Sequence, residues 1–164
     1  MNVERKYESF KPLINKDTKI LILGSLPSVK SLEFKEYYGH PRNRIWKILA
    51  YLLNTEIPDT YQNKKQFLHD NRIGLWDVIK NANREGSLDS NIKNETPNDI
   101  NKILEKFNSI KVVGFNGKKS EQLYYKYFDL NSNIHYVSLP SSSPANMSFN
   151  FEQISKKWSN LFRR

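Results

Sequence analysis

The feature that most constrains the fold is a set of short apolar runs that alternate with amphipathic segments. The run at 18–25 reads TKILILGS, the run at 110–117 reads IKVVGFNG, and 133–144 reads NIHYVSLPSSSP. Runs of β-branched residues and leucine, bounded by polar or glycine positions, are typical of strands that are buried on both faces. A fourth run, RIGLWDVI at 72–79, predicts either a fourth strand or a short helix, because its period is not clear.

Segments with helical periodicity lie between these runs. They cover 43–53, 96–107, 117–128 and 150–162. In the second segment we expect Thr96 to act as the N-cap, with Pro97 in the first turn. Strands that alternate with helices predict an α/β fold, here a three-layer α/β/α sandwich around a central, mainly parallel four-stranded sheet. The length of 164 residues suits one domain over 1–164.

Three loops of unusual composition begin where predicted strands end. They read GSLPSVKS with YYGHPRN (24–43), FNGKK (115–119) and LPSSSPANMS (139–148). In open parallel sheets, ligands bind beyond the carboxyl ends of the strands. We therefore expect the three loops to meet along one rim of the sheet and to form the functional site there.

The composition excludes several classes of site. The chain has no cysteine, which excludes disulfides, thiolate metal sites and a cysteine nucleophile, and fits a reducing cytoplasm. The 3 histidines, His40, His69 and His135, lack metal-ligand spacing, so no metal is predicted. The first loop has neither a P-loop ending nor the spaced glycines of a dinucleotide site. We also expect no signal peptide and no membrane span, because no apolar run is long enough.

The net charge of +9 favours a polyanionic partner, although a generally lysine-rich proteome would produce the same excess. Single residues in the loops also have two interpretations. Tyr37 and Tyr38 would pack at the core edge or stack on an unpaired base. Asn43 would cap a helix, and Asn116 would cap a helix or read a base edge. The serines 141–143 would form a flexible turn or bind phosphates.

Taken together, the loops resemble the uracil-DNA glycosylase superfamily. The segment LGSLPSVKSLEFKEYYGHPRNRIWKIL is similar to the first motif region of the branch that removes hypoxanthine, the DNA-deoxyinosine glycosylases. GLWDVI, REGSLDSNI, FNGKK and LPSSSPAN follow in the order of that branch. The resemblance extends from about residue 19 to residue 162, and the combination of motifs is more specific than any one of them.

The resemblance implies a monofunctional enzyme that hydrolyses the N-glycosidic bond of a deaminated purine in DNA and leaves an abasic site. It assigns catalysis to Asn43, whose carbonyl oxygen would orient the attacking water. The implied base pocket consists of Gly24, Ser25, Leu26, Tyr38 and Asn116. The implied DNA contacts are His40, Arg42, Lys118, Ser141, Ser142, Ser143, Asn146 and Met147, with Asn146 or Met147 as the wedge. The implied partner is DNA that contains deaminated bases, and we expect a monomer in the cytoplasm without a cofactor.

Alternatives remain at this stage. Mismatch-specific uracil and thymine glycosylases share several of these elements, but they carry an asparagine where this chain has Leu26. A non-catalytic DNA-binding α/β domain would keep the charge, the tyrosines and the serines without needing Asn43. A nucleotide-binding module is disfavoured by the missing phosphate fingerprint. Within the enzyme interpretation, Asp77 and Glu85 are rival candidates for a catalytic base.

Overall fold

The computed structural model describes residues 5–163. In chain order its strands and α-helices are β1 (Arg5–Glu8), β2 (Ile20–Gly24), α1 (Val29–Phe34), α2 (Ile45–Leu52), α3 (Tyr61–Asp70), β3 (Ile73–Asp77), β4 (Ile79–Arg84), β5 (Lys93–Pro97), α4 (Ile100–Lys106), β6 (Val112–Asn116), α5 (Lys118–Tyr127), β7 (His135–Leu139) and α6 (Phe151–Trp158). Short 3-10 turns cover Asp89–Asn91 and Ser159–Phe162. Within residues 5–163, no helix combines the length and apolar character that crossing a membrane requires.

Four parallel strands form the central sheet, in the order β3-β2-β6-β7. Every residue of β2, β3 and β6 is buried, which explains why these strands appear in the sequence as continuous apolar runs. The ambiguous run at 72–79 contains β3, which ends at Asp77. The predicted four-stranded parallel sheet is therefore confirmed.

Helices cover both faces of this sheet. On one face, Ile20 and Ile22 of β2 belong to a core cluster with residues of α2, α3 and α6. On the other face, Leu21 and Leu23 belong to a second cluster with residues of α4 and α5. Because successive side chains of a strand point to opposite faces, β2 contributes to both layers of core. This arrangement confirms the predicted α/β/α layering.

A second sheet was not predicted. Its three strands are antiparallel, in the order β1-β4-β5. Their sequences RKYE, IKNANR and KNETP are mostly polar, and register shifts between β4 and β5 disturb the simple alternation that identifies a strand. Only one residue, Val78, separates β3 from β4, so the chain passes directly from the end of the central sheet into this second sheet.

The second sheet also changes the start of one helix. Thr96 and Pro97 pair with β4 as part of β5, so the expected Thr96 cap is wrong. Asp99 caps α4 instead, with its side chain accepting a hydrogen bond from the backbone N–H of Lys102 at 3.2 Å. Sheet pairing decided between two local starting points that the sequence pattern alone could not separate.

Candidate functional site

The carboxyl ends of the central strands open into a cavity of about 780 Å³. Residues from all three predicted loops line it. They are Gly24, Ser25, Leu26, Tyr38, His40, Arg42, Asn43, Asn116, Ser141, Ser142, Ser143 and Asn146. Lys118 and Met147 do not line the cavity, and both are exposed, Met147 to 90%. The structure therefore brings together every predicted site residue except these two.

The first loop places Tyr38 over the end of β2. Tyr38 has a positive φ of 52°, its ring is half-buried and its hydroxyl is buried. Gly24 is needed beneath it, because a Cβ at that position would lie 3.0 Å from the Tyr38 hydroxyl and 2.7 Å from Asp77 Oδ1. Tyr37 has the ordinary role that was considered for both tyrosines, since it is buried and donates its hydroxyl to the Lys11 carbonyl at 2.8 Å.

A directed chain of hydrogen bonds joins the third loop to the helix start. Asn116 Nδ2 donates to Ser142 Oγ at 2.9 Å, and Ser142 Oγ donates to Asn43 Oδ1 at 2.8 Å. Asn43 Oδ1 also accepts from the Ile45 backbone N–H at 3.0 Å, and Asn116 Oδ1 accepts from the Ser142 N–H at 2.9 Å. Because backbone N–H groups only donate, these contacts define which end of each carboxamide is oxygen. We call these three residues the amide chain.

The amide chain revises two expectations. Asn43 does cap the start of α2, as the ordinary interpretation predicted, but it also lines the cavity. Both acceptor positions of its Oδ1 are occupied, so this oxygen is not free to hold a water directly. Ser142 is fully buried with its hydroxyl engaged on both sides, so in this structure it organises the loop and does not present a hydroxyl to a phosphate.

Arg44, which the sequence analysis did not single out, holds the rest of the third loop. Its guanidinium donates to the carbonyls of Phe149 and Asn146 at 2.9 and 2.8 Å, and its backbone N–H donates to Ser142 O at 3.1 Å. Within the loop, Asn146 Nδ2 donates to the carbonyl of Ser141 at 2.9 Å. The serine-rich segment is therefore a structured loop, because its backbone groups are paired and a buried arginine stem connects it to α2.

At the other end of the cavity lies a group of ionisable residues, Asp77, Asp89 and Arg84, which we call the acidic end. Ser25 Oγ donates to Asp89 Oδ1 at 2.6 Å, and Asp89 also lines the cavity. Burial, together with the nearby Asp89 carboxyl, raises the pKa of Asp77 to about 7, while Arg84 acts in the opposite direction. Burial likewise raises the pKa of Asp89.

The second sheet delivers most of this acidic end. Arg84 ends β4, and its guanidinium donates to the carbonyls of Gly86 and Pro27. Asp89 follows in the connection between β4 and β5. Neither was identified from the sequence, because nothing local distinguishes them from solvated charges. Glu85, the other rival base, is exposed and does not line the cavity.

His40 and Arg42 form the outer edge of the cavity. Nδ1 of His40 accepts a hydrogen bond from the Arg42 backbone N–H at 3.1 Å, and the His40 carbonyl accepts one from the Asn43 N–H at 2.9 Å. This turn leads into the amide chain. Across residues 5–163, no cluster of three or more His, Cys, Asp or Glu side chains is arranged to hold a metal ion.

Comparison with known proteins connects this geometry to one family. The model of the uracil DNA glycosylase superfamily matches residues 11–162. A protein of Methanosarcina acetivorans named hypoxanthine DNA glycosylase is 39% identical over 157 residues, which cover 94% of this chain and 96% of that protein. A protein of the same name from Methanosarcina barkeri is 43% identical over 116 residues, covering 70% of this chain and 73% of that protein.

A solved structure agrees with these relatives. It is a solution NMR structure of a Methanosarcina acetivorans protein provisionally assigned as a uracil DNA glycosylase. Its TM-score to this chain is 0.79 at 34% identity, and the match covers 97% of this chain and 100% of the other. The similarity in fold therefore extends over nearly all of both molecules.

Proposed function

This chain belongs to the uracil DNA glycosylase superfamily, and from that membership we propose that it is a DNA repair glycosylase acting on deaminated purine. Its reaction is hydrolysis of the N-glycosidic bond between hypoxanthine and deoxyribose, which leaves an abasic site in DNA. We further propose that residues 1–164 form a single glycosylase domain that works as a monomer in the cytoplasm without a cofactor.

The observation that carries this proposal is the shared cavity of Tyr38 and Asn43. A base inside a duplex is out of reach of an active site, so it must be flipped into a pocket at a cost of a few kcal/mol. A cavity of about 780 Å³ at a sheet rim is in the size range of small-molecule sites and is open to a large polyanion. A mismatched inosine is cheaper to extract than a paired base, which contributes selectivity.

Within this cavity, we assign Tyr38 to stacking and Asn43 to the sugar. The half-buried ring of Tyr38 offers a π-face to the flipped base, and its buried hydroxyl restricts the tilt of the ring. Cleavage produces an oxocarbenium-like sugar and an anionic base. Such a sugar needs little help from a base catalyst, so the position of the attacking water decides much of the rate.

The amide chain supports a positioning role for Asn43. Because Oδ1 is held by Ile45 and Ser142, the amide nitrogen is the part of Asn43 that remains for the water. We propose that Nδ2–H donates to the oxygen of the water and holds it against the anomeric carbon. The polarised chain from Asn116 through Ser142 keeps the carboxamide from rotating.

The outer residues are assigned to the DNA backbone. Arg42 and the loop 141–146 border the cavity, and the net charge of +9 attracts a phosphate chain. Ser141 and Ser143 keep the predicted phosphate role. Lys118 and Met147 lie outside the cavity and are exposed, as a backbone contact and a wedge residue need to be.

The test uses duplexes that carry deoxyinosine, deoxyuridine or normal bases at one position, followed by alkaline cleavage at abasic sites. Strand breaks at inosine support the proposal. Breaks at uracil alone would favour the uracil and mismatch branch, which Leu26 disfavours because a leucine cannot hold a water. Retarded mobility without breaks would instead indicate a non-catalytic DNA-binding domain.

A further inference from the structure

The carboxyl group of Asp77 has no role in the mechanism above. Asp77 ends β3, lines the cavity and is only 4% exposed. Its Oδ2 is buried, and no group among residues 5–163 donates a hydrogen bond to it. No ion pair among those residues includes Asp77. A buried carboxyl without a partner is costly, so its presence in a cavity points to a ligand.

The position of Asp77 separates it from the reacting carbon. Asp77 stands at the end of β3, whereas Asn116 and the amide chain stand at the end of β6, with β2 between the two strands. Two strand spacings correspond to about 10 Å. If Asn43 faces the sugar, the far edge of a flipped base is the part of the substrate that approaches Asp77.

We infer that Asp77, in its protonated form, binds the N–H and C=O edge that hydrolytic deamination creates on a nucleobase. On hypoxanthine this edge is N1–H and O6, and on uracil it is N3–H and O4. The carboxyl O–H donates to the carbonyl oxygen of the base, and the other carboxyl oxygen accepts the ring N–H. This inference depends on the proposed function, and it names the base-binding contact of that same site.

The surroundings of Asp77 favour the neutral acid. The groups that face it are Asp89 from the β4–β5 connection, Tyr37 and Tyr38 from the first loop, and Arg84 from β4. Arg84 directs its guanidinium hydrogen bonds to the carbonyls of Gly86 and Pro27. With burial and Asp89 raising the pKa of Asp77 to about 7, the neutral form predominates below that pH.

Ionisation of Asp77 removes one of the two contacts. The carboxylate has no donor for the carbonyl oxygen of the base, and it repels the lone pairs of that oxygen. Excision should therefore weaken as the pH rises through 7. A catalytic base at the same position would behave in the opposite way, since only the carboxylate form accepts a proton. The direction of the pH dependence separates the two roles.

The experiment measures kcat/KM for excision from an inosine duplex between pH 5.5 and 9, for the wild-type protein and for Asp77→Asn. The wild-type value should fall at least about tenfold between pH 6.5 and 8.5. Asp77→Asn keeps one donor and one acceptor at every pH, so its value should change less than about threefold over that interval. Any titration of the DNA contacts affects both proteins and cancels in the comparison.

Two further variants keep the inference falsifiable. Asp77→Leu should lose at least about tenfold in kcat/KM at pH 6.5, because it removes both contacts. Asp89→Asn should move the fall of the wild-type profile to lower pH, since one of the charges that disfavour ionisation of Asp77 is gone. Asp129→Asn, at an exposed position outside the cavity, should reproduce the wild-type profile.

Several outcomes would overturn the inference. Parallel pH profiles for wild type and Asp77→Asn would show that Asp77 does not carry the titration. A wild-type rate that rises with pH, with Asp77→Asn inactive throughout, would make Asp77 a catalytic base. If the wild-type protein cleaves neither inosine nor uracil duplexes at any pH, the proposed function itself fails, which is a separate result.

Discussion

The two ends of the cavity differ in how completely their polar groups are paired. In the amide chain, Asn43, Ser142 and Asn116 are joined by hydrogen bonds of 2.8 to 2.9 Å, and the carbonyl oxygen of Asn43 is engaged twice. At the acidic end, Oδ2 of Asp77 and Nη1 of Arg84 are buried without a partner among residues 5–163. The comparison indicates that one end is already organised, whereas the other end acquires its partners from the substrate.

This difference separates two kinds of contribution to an enzyme. Groups that are held by the protein before the substrate arrives lower the barrier by being correctly placed. Groups that are left unpaired lose free energy in the empty protein and regain it on binding, so they favour a ligand that completes them. The predictions below test the amide chain first and the acidic end last.

The largest effect is expected for Asn43→Ala. Loss of the carboxamide removes the group proposed to hold the water and should slow single-turnover excision of hypoxanthine by about 100-fold, or at least tenfold. Binding of inosine DNA, measured by mobility shift, should change little, because the phosphate contacts are elsewhere. Unchanged turnover would reduce Asn43 to its capping role at the start of α2.

A smaller effect is expected for Ser142→Ala. The substitution breaks the amide chain and leaves Asn43 Oδ1 with one hydrogen bond fewer, so the side chain gains rotational freedom. We expect kcat to fall about tenfold while KM stays within about twofold, because Ser142 positions Asn43 and does not contact the substrate. Ser143→Ala, in the same loop but outside the chain, is the matched control. Equal kcat for both variants would contradict a positioning role for Ser142.

The smallest effect is on stability, and it concerns the acidic end. The pKa of Asp77 is raised to about 7 in the folded protein from an ordinary value of 3.8, so the unfolded chain ionises first as the pH rises. The contribution of the neutral acid to stability is therefore complete below pH 3.8 and is lost between about pH 4 and 7. Asp77→Asn removes this loss.

Urea denaturation at pH 5 and pH 8 measures the effect. Relative to wild type, Asp77→Asn should gain at least about 1 kcal/mol in free energy of unfolding at pH 8 compared with pH 5. Asp129→Asn, at an exposed position, controls for general effects of removing a carboxylate. A pH-independent difference between Asp77→Asn and wild type would mean that the Asp77 carboxyl stays ionised in the folded protein throughout this range.

The parts of the site that were predictable depend on local signals. Tyr38, Asn43, Asn116 and Ser142 were found because they follow recognisable strands or precede a recognisable helix, and parallel topology places all such ends on one rim. Their contacts were not predictable. Ser142 and Asn43 are separated by 99 residues, and no local pattern states that the serine would be buried against the asparagine instead of facing a phosphate.

The acidic end shows where local signals stop. Asp77 was recognised as a rival catalytic residue, but Arg84 and Asp89 lie in a polar stretch whose strand β4 has no clear period. Their burial arises because the second sheet packs against the core cluster that contains Val78, Ile79 and Ala82. Without that packing, the three charges would read as ordinary surface residues.

By itself, the sequence determined the order of strands and helices, the buried parallel sheet and the rim where its loops meet, because strand burial and helix periodicity are written in neighbouring residues. Only the tertiary structure decided which polar groups are paired. The amide chain joins residues from two distant loops and the end of a strand, and the unpaired Asp77 results from a second sheet that encloses it. Protonation and hydrogen bonding depend on burial and on partners far along the chain, and these exist only once the chain has folded.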